Sequence, residues 1–497
     1  MSVLTEPIVA GNLLTCLTPD QLRQLARKDE IPNNWGMAVY RSRIRSRSAK
    51  FTYVVYEPTA EQEETIRQVR EYLRGADVVR VERDIGQHPD NKFRVQYYVT
   101  RDHPNLAYML SRNLFVPTDQ REPDIVVVQV PEWPDLAIYV HPTDDGRVFT
   151  YVLGSDYYGE AKMGSLRAAM HIMREHRHGL GLHAGAKVYR IKRGNEVREI
   201  GTLIFGLSGT GKTTITVNDH GLQPPEGITI LQDDIVMMTP STYCYGTEES
   251  FYIKTDSVTS QPELYKATQV PVSIGENVWV ESDGEVDFDN LTLTTNGRCI
   301  VPRFLIPHTT DSIDLPQVDV VFFNTRRYDI PPIGRLASPA QAAAFLMLGE
   351  STITSADDPT RVGESKRVVA FDPFIIDKPH VQGNRLYEIL KRNPHVRVYL
   401  VNTGKVGGLE RGNKIRPRDT MNAILGVLRD EIEWEFDPNL GYETAKVIPG
   451  VDMERFDPYK VYGEAKFKQL MDKLRAERQA WLAQFDGLHP DILAALG

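Results

Sequence analysis

Cysteine, long apolar runs and excess positive charge are scarce or missing in this sequence. Its 497 residues include three cysteines, Cys16, Cys244 and Cys299, which are too few and too widely spaced for a disulfide framework or a Cys-x-x-Cys metal site. We therefore expect reduced thiols. No apolar run is long enough to span a bilayer, and the N-terminus lacks the basic start and apolar core of a signal peptide. The sequence thus predicts a soluble, cytoplasmic protein with no membrane partner.

The charge balance excludes another class of partner. The formal net charge is -9, and because binding to a polyanion depends on lysine and arginine, we expect no nucleic-acid partner. The basic stretch RSRIRSRSAK, residues 41–50, is a local exception that predicts either a binding site or a solvated strand edge. With 41% hydrophobic and 25% charged residues, the chain has the composition of a globular protein, and its length predicts two or more domains.

The sequence does contain a complete phosphate-binding loop. In GLSGTGKTT, residues 206–214, the pattern G-x-x-x-x-G-K-[ST] follows an apolar run that predicts a buried strand. Backbone N–H groups of such a loop point at phosphate oxygens, its lysine reaches the outer phosphates, and its threonine faces a divalent metal ion. A chance glycine turn is the alternative, but we expect a bound nucleotide. The predicted loop contacts are Gly206, Leu207, Ser208, Gly209, Thr210, Gly211, Lys212, Thr213 and Thr214.

Candidate metal ligands surround this loop in the sequence. The apolar strand predicted at 228–231 ends at Asp233 and Asp234, as expected of an acidic pair at the carboxyl edge of a sheet. His183 lies in the small-residue stretch GLHAGAKV, where a ligand can approach closely. A histidine held by core contacts or by solvent is the alternative.

Strand and helix patterns alternate along most of the chain. Strands are predicted at 51–56, 93–99, 124–130, 228–231, 278–280, 319–323 and 398–402, and a helix is predicted at about 463–485. The fold class is therefore α/β, with an N-terminal mixed α/β domain and a phosphate-loop nucleotide-binding domain.

Segments spread along about residues 40–460 resemble the ATP-dependent phosphoenolpyruvate carboxykinase family. The phosphate loop is similar to that family's nucleotide loop and differs from the loop of the GTP-dependent branch. YGEAKMG is similar to the family's Y-G-G-E-x-K-K-G, LHAGAKV to M-H-C-S-A-N-V, and RSRSAKF to R-S-P-K-D-K-[FY]. Further similar segments are RVERDIGQHPDNKFRVQYYV, EVDFDNLTLTTNGRCIVP, DIPPIGRLASPAQAAAFLMLG, VYLVNTGKVGG and NKIRPRDT.

The resemblance implies a two-domain phosphoenolpyruvate carboxykinase-like architecture and a role for each matching residue. Residues 1–180 would contribute substrate contacts, and residues 181–497 would bind nucleotide and metal, with a mobile lid near 354–367. Implied catalytic residues are Lys212, Arg298 and Asp234, and Asp233 is a further catalytic candidate from the acidic pair. Implied substrate contacts are Arg45, Tyr158 and Arg298. Lys414, Ile415 and Thr420 would surround the base and ribose of ATP. Thr213 would face Mg²⁺, and His183 and Asp234 would be two of three protein ligands of a second metal ion, usually Mn²⁺.

Two departures from the family pattern affect the substrate side. The family's second lysine, a ligand of the second metal ion, falls at Met163, and a thioether is a poor ligand for manganese or magnesium. Lys162 is no obvious substitute, because adjacent side chains of a helix point about 100° apart. The lid segment TSADDPTRVGESKR, residues 354–367, also differs from the family's T-E-x-G-x-x-E-P.

Two reactions on a small-molecule substrate remain open at this point. The simplest inheritance is the family reaction, in which oxaloacetate and ATP give phosphoenolpyruvate, carbon dioxide and ADP. The alternative is a kinase that phosphorylates a hydroxyl group of another small molecule without decarboxylation, with Asp233 or Asp234 as general base. Met163 favours the kinase and predicts weak decarboxylation; a nucleotide-binding regulator without turnover is a third reading. The sequence predicts no particular oligomeric state.

Overall fold

A computed structural model describes residues 2–207, 209–256, 258–353 and 360–496 of the chain. The chain divides into two compact units, of which the first comprises residues 1–177 and 247–309 and the second residues 178–246 and 310–497. Residues 247–309 therefore belong to the first unit although they follow the phosphate loop in sequence. Ser208, and residues 354–359 of the predicted lid, lie outside the described residues.

The strands follow in chain order. They are β1 Asn12–Leu14, β2 Ala38–Tyr40, β3 Thr52–Val54, β4 Asp77–Ile85, β5 Phe93–Thr100, β6 Ile125–Val130, β7 Ala137–Pro142, β8 Val148–Leu153, β9 Leu180–Arg193, β10 Glu196–Gly206, β11 Gly227–Gln232, β12 Ile235–Met238, β13 Cys244–Gly246, β14 Ser250–Lys254, β15 Ile274–Glu276, β16 Trp279–Val280, β17 Val286–Asp287, β18 Arg298–Pro302, β19 Val320–Thr325, β20 Ile333–Arg335, β21 Glu350–Thr352, β22 Ser365–Arg367, β23 Arg397–Asn402, β24 Lys405–Val406, β25 Asn413–Lys414, β26 Glu433–Asp437 and β27 Tyr442–Val447.

The α-helices are α1 Pro19–Ala26, α2 Ala60–Gly75, α3 Pro104–Asn113, α4 Tyr158–His176, α5 Lys212–Val217, α6 Pro262–Thr268, α7 Pro339–Leu348, α8 His380–Arg392, α9 Pro417–Arg429, α10 Pro458–Tyr462, α11 Glu464–Leu482 and α12 Pro490–Ala494. The predicted strands and the predicted C-terminal helix are confirmed. Among the described residues, no helix is long and apolar enough to cross a membrane.

The first unit contains two sheets. The larger has the strand order β1-β4-β5-β6-β8-β7-β3, and α4 packs on β6 and β8. The smaller has the order β14-β18-β15-β2. In the smaller sheet β15 pairs with β18, so that Glu276 lies opposite Arg298.

The second unit is built on one mixed sheet. Its strand order is β13-β12-β9-β10-β19-β23-β20-β27-β26, with β11 pairing beside β9. β10, β19 and β23 are parallel neighbours, and their residues are almost entirely buried from Thr202, Val320 and Val398 onward, as expected of parallel strands covered on both faces. The carboxyl ends of these three strands meet at one edge, which is where α/β sheets bind their ligands.

Candidate active site

The phosphate loop begins where β10 ends. Gly209 and Gly211 have φ of 79° and 93°, a left-handed backbone that favours glycine. At Gly206 an added Cβ atom would lie 2.3 Å from Thr210 Oγ1, so the close turn also requires glycine there. The Thr210 hydroxyl donates to the carbonyl of Leu207 at 2.8 Å, and α5 starts at Lys212. A glycine-rich turn that leads into a helix N-terminus is the arrangement typical of phosphate-binding loops.

The loops after the other two parallel strands support this turn. Thr403, which follows β23, donates its hydroxyl to the carbonyl of Thr210 at 2.9 Å. Its backbone N–H donates to the carbonyl of Thr325, the last residue of β19, at 2.8 Å. One threonine therefore links the phosphate loop to the carboxyl ends of β19 and β23.

Strand pairing explains why two residues far apart in sequence meet beside this loop. β11 and β12 both pair with β9, and the break between them falls at Asp233 and Asp234. Across this break, Gln232 lies opposite Ala186 and Ile235 opposite His183. The geometry places Asp234 beside His183, whereas Asp233 is buried.

Two side chains contact the Asp234 carboxylate, one from a lysine and one from a histidine. Its Oδ1 atom lies 3.0 Å from His183 Nε2 and 3.0 Å from Lys212 Nζ. The other ring nitrogen, Nδ1 of His183, lies 2.7 Å from the carbonyl of Phe371. A carbonyl only accepts, so Nδ1 carries the proton, and this leaves Nε2 facing a carboxylate oxygen. Such a pair requires a proton or a metal ion between the two atoms.

This donor set fits a divalent metal ion. Imidazole nitrogen and carboxylate oxygen are both ligands of manganese, and a separation of about 3 Å is expected for neighbouring ligands with bonds of about 2.1 Å at right angles. Among the described residues, no group of three or more histidine, cysteine, aspartate or glutamate side chains could hold a metal ion. His183 and Asp234 alone are thus an incomplete set, as the sequence resemblance implied. Thr213, at the start of α5, is half-buried, as is Thr214.

The residues predicted to surround the base lie near the loop after β23. Ile415 donates its backbone N–H to the carbonyl of Gly404 at 3.0 Å. Its side chain packs into a small apolar cluster with Val406 and Phe456. Lys414 is exposed, and Thr420 is buried in α9; these lie at the end of β25 and one turn into the helix that follows.

Arg298 belongs to a second polar group, which lies in the first unit. Its Nη2 atom donates to Asn296 Oδ1 at 2.9 Å. The amide nitrogen of Asn296 donates in turn to the carbonyl of Arg45 at 2.9 Å and to the hydroxyl of Tyr157 at 3.0 Å. Asn296 therefore joins Arg45, Arg298 and Tyr157 into one cluster. The side chain of Arg45 donates to the carbonyl of Leu293 at 2.7 Å.

Comparison with known proteins decides the family. The family model described as phosphoenolpyruvate carboxykinase matches residues 13–454. This chain belongs to the phosphoenolpyruvate carboxykinase family. The protein named phosphoenolpyruvate carboxykinase (ATP) from Aeropyrum pernix is 38% identical over 460 residues, 93% of this chain and 92% of that protein. Proteins of the same name from Brucella anthropi and Christiangramia forsetii are 28% and 27% identical, covering 73% and 82% of this chain and 69% and 76% of their own lengths.

Membership of the phosphoenolpyruvate carboxykinase family confirms the predicted family, fold class and class of enzyme. It also implies ATP and a divalent metal ion as cofactors. The family pattern, however, directs attention to a residue that the sequence interpretation missed. Counting back from Glu160 in Y-G-G-E-x-K-K-G places the family tyrosine at Tyr157. Tyr158, the predicted substrate contact, lies one position after the residue that aligns with the family tyrosine.

The structure separates the two tyrosines. Tyr158 is fully buried, and its hydroxyl donates to Asn113 Oδ1 at 2.8 Å. Burial raises the pKa of its hydroxyl well above the ordinary value. These contacts argue against the predicted substrate contact through Tyr158. Tyr157, whose hydroxyl lies in the Asn296 cluster, is the better candidate.

A buried carboxylate lies beside the Asn296 cluster. Glu276 accepts hydrogen bonds from the Tyr252 hydroxyl at 2.6 Å and the backbone N–H of Tyr158 at 2.7 Å. Burial raises the pKa of Glu276 to about 7, although these hydrogen bonds and the charge of Arg298 oppose the shift. The Arg298 guanidinium also lies over the Tyr252 ring, 5.4 Å from its centre.

The raised pKa of Glu276 predicts a pH-dependent stability. The folded protein holds this proton up to about pH 7, whereas the unfolded chain releases it near its ordinary pKa of about 4.3. Stability from this group is thus full below about pH 4.3 and is lost as pH rises towards 7. Glu276→Gln should remove this loss, worth up to roughly 4 kcal/mol. Unfolding temperatures of both proteins between pH 4.5 and 8 test this, and parallel curves would contradict it.

Met163 lies in α4. Its side chain is 3% exposed, so it occupies a core position in the first unit. The neighbouring Lys162 is equally buried, and its Nζ atom lies 3.3 Å from Glu248 Oε1 and 5.3 Å from the centre of the Tyr252 ring. The Lys162 amino group therefore contacts Glu248 and Tyr252. These contacts agree with the prediction that Lys162 does not replace the family's second lysine.

The burial of Met163 predicts how the family residue would behave there. Met163→Lys should lower the unfolding temperature much more than Met163→Leu, because a buried charge needs a partner and Lys162 already uses Glu248. Thermal unfolding with and without Mn²⁺ measures this difference. A Met163→Lys protein of wild-type stability that binds Mn²⁺ more tightly would instead show that the site accepts the family lysine.

Proposed function

We propose that this protein catalyses the family reaction, in which oxaloacetate and ATP give phosphoenolpyruvate, carbon dioxide and ADP. The observation that carries the proposal is the meeting of His183 Nε2 and Lys212 Nζ on one oxygen of Asp234 at the mouth of the phosphate loop. A phosphoryl transfer needs little covalent chemistry and relies on positioned cations. This carboxylate holds one such cation, and with His183 it offers ligands for another.

The reaction has two steps, decarboxylation of oxaloacetate and transfer of a phosphoryl group from ATP. The bond to the departing carboxylate breaks, its electron pair forms the enolate of pyruvate, and the enolate oxygen takes the γ-phosphoryl group from ATP as ADP leaves. A divalent metal ion held by His183 and Asp234, and Mg²⁺ beside Thr213, would supply positive charge for the enolate oxygen and the phosphates. Lys212 and the loop N–H groups orient the phosphates, and Asp234 keeps Lys212 and His183 in position between turnovers.

We infer that the Asn296 cluster recognises the substrate carboxylates. Arg45 and Arg298 supply guanidinium groups, which match carboxylates in shape and charge, and Tyr157 supplies a hydroxyl donor. The hydrogen bonds of Asn296 hold the three together. Lys414, Ile415 and Thr420 are proposed for the base and ribose, and Thr213 for Mg²⁺. Mn²⁺ is the proposed ion at His183 and Asp234, and the cytoplasm the proposed location.

One observation favours the kinase alternative. Met163 gives the second metal ion no ligand, whereas a hydroxyl kinase needs its cations mainly at the phosphates. Asp233 or Asp234 would then take the proton of the acceptor hydroxyl.

The reverse reaction distinguishes the two functions. The purified protein is supplied with phosphoenolpyruvate, ADP, bicarbonate, Mg²⁺ and Mn²⁺, and oxaloacetate is followed by its reduction to malate with NADH and malate dehydrogenase. The family reaction predicts NADH oxidation that requires all three substrates. A folded protein that forms no oxaloacetate from these substrates, yet transfers phosphate from ATP to another hydroxyl compound, would refute decarboxylation chemistry and support the kinase.

A further inference from the structure

Two successive residues of the second unit have an unusual backbone. Ala370 and Phe371 both have φ of 55°, in the left-handed region that residues with a Cβ atom rarely adopt. Their side chains are 3% and 1% exposed. Non-glycine residues persist in this region only where the surrounding structure fixes them, and such positions cluster at functional sites.

Hydrogen bonds and ring packing fix this turn. Val368 donates its N–H to the carbonyl of Gly349 at 3.2 Å, and Phe371 donates to the carbonyl of Val368 at 2.9 Å. The ring of Phe371 packs against those of Phe205 and Phe323, with centres 6.1 and 5.4 Å away. Phe205 and Phe323 lie in β10 and β19, the strands that lead to the candidate active site.

The turn delivers two contacts to His183. The carbonyl of Phe371 lies 2.7 Å from His183 Nδ1. The ring of Phe374 meets the imidazole edge-on, with centres 5.5 Å apart and planes at 78°. Phe374 is itself held by Asp372, whose Oδ1 atom accepts its backbone N–H at 2.8 Å. One contact selects the protonated nitrogen of His183, and the other limits rotation of its ring.

We propose that residues 368–374 form a clamp that fixes the tautomer and ring orientation of His183, with Ala370 and Phe371 as positioning residues. The strained backbone is the means by which a buried carbonyl is turned towards Nδ1, so that Nε2 faces Asp234. The role of this clamp in metal binding rests on the proposed function, but the tautomer itself does not. A partner of this kind at the second ring nitrogen typically raises metal affinity 10- to 100-fold.

Nuclear magnetic resonance tests the tautomer in the metal-free, full-length protein. With ¹⁵N-labelled histidine, the His183 signals are assigned by their loss in His183→Gln. The clamp predicts that Nδ1 of the His183 imidazole carries a proton. A neutral imidazole of His183 that carries its proton on Nε2 alone, or a fast mixture of both tautomers, would overturn the proposal.

A pair of variants at one position tests the strained backbone, with Mn²⁺ alone as the probe. Glycine adopts positive φ freely, so Ala370→Gly should keep the tautomer and bind Mn²⁺ within about twofold of wild type. A β-branched residue resists this conformation, so Ala370→Val should weaken Mn²⁺ binding at least about tenfold. Electron paramagnetic resonance of free Mn²⁺ gives both affinities.

The outcomes separate the two proposals. A folded Ala370→Val protein with wild-type Mn²⁺ affinity and an unchanged tautomer would refute the clamp. If that variant does not fold, the tautomer of the wild-type and Ala370→Gly proteins decides. A correct tautomer together with Mn²⁺ binding that survives His183→Gln would leave the clamp standing and refute the proposed metal site.

Discussion

Lys212→Ala will lower the rate of phosphoryl transfer by about a hundredfold to a thousandfold or more, the loss typical of removing one group that stabilises transition-state charge. The lysine follows the two left-handed glycines and is held 3.0 Å from Asp234. Its charge serves phosphates that the free protein lacks, so the fold should survive. Initial rates with saturating ATP, together with circular dichroism and thermal unfolding, measure both effects.

Lys192→Ala is the matched control. Lys192 is an exposed residue of β9 in the same unit, so removing its charge tests whether the loss is specific to the phosphate loop. We expect this variant to retain wild-type rates. A Lys212→Ala protein that remains active would remove the phosphate-loop assignment.

Asp234→Asn will weaken Mn²⁺ binding by at least about a hundredfold, because the proposed metal site would lose a direct ligand, which costs more than the 10- to 100-fold loss typical of a residue that only orients a ligand. Turnover should fall with it, since the neutral amide stabilises neither the metal ion nor the ammonium group of Lys212, 3.0 Å away. Mn²⁺ titrations of the protein and rates at several Mn²⁺ concentrations test the two effects separately.

Asp486→Asn controls for the change of net charge. Asp486 is exposed near the C-terminus of the second unit and should tolerate the substitution without effect. Unchanged Mn²⁺ affinity in Asp234→Asn would refute the metal assignment. A loss of turnover that high Mn²⁺ restores would instead support a role confined to binding the ion.

Local patterns predicted the strand β10 and the glycine turn that follows it. The glycine spacing and the apolar run before it are local signals of β10 and of the loop that follows, although β10 also pairs with the distant strand β19. His183 and Asp234 are 51 positions apart in the numbering. The resemblance implied their shared role, but only the pairing of β9 with both β11 and β12 explains why they meet.

Features that depend on contacts between residues far apart in the chain could not be predicted from the sequence. The grouping of residues 247–309 with the first unit arises from the sheet β14-β18-β15-β2, whose strands come from two separate parts of the chain. Tyr157 and Tyr158 differ in their hydrogen-bond partners, because only the Tyr158 hydroxyl donates to Asn113 in the core. The backbone of Ala370 and Phe371 is set by rings from β10 and β19, and no local pattern at 368–374 predicts it.

The ratio of phosphoenolpyruvate to ADP tests the central claim most directly. The protein is incubated with oxaloacetate, ATP, Mg²⁺ and Mn²⁺, and both products are quantified over time after subtraction of spontaneous oxaloacetate decay, with Lys212→Ala as the inactive control. The account predicts one phosphoenolpyruvate for each ADP, and both products lost in the control. ADP formed without phosphoenolpyruvate would contradict it.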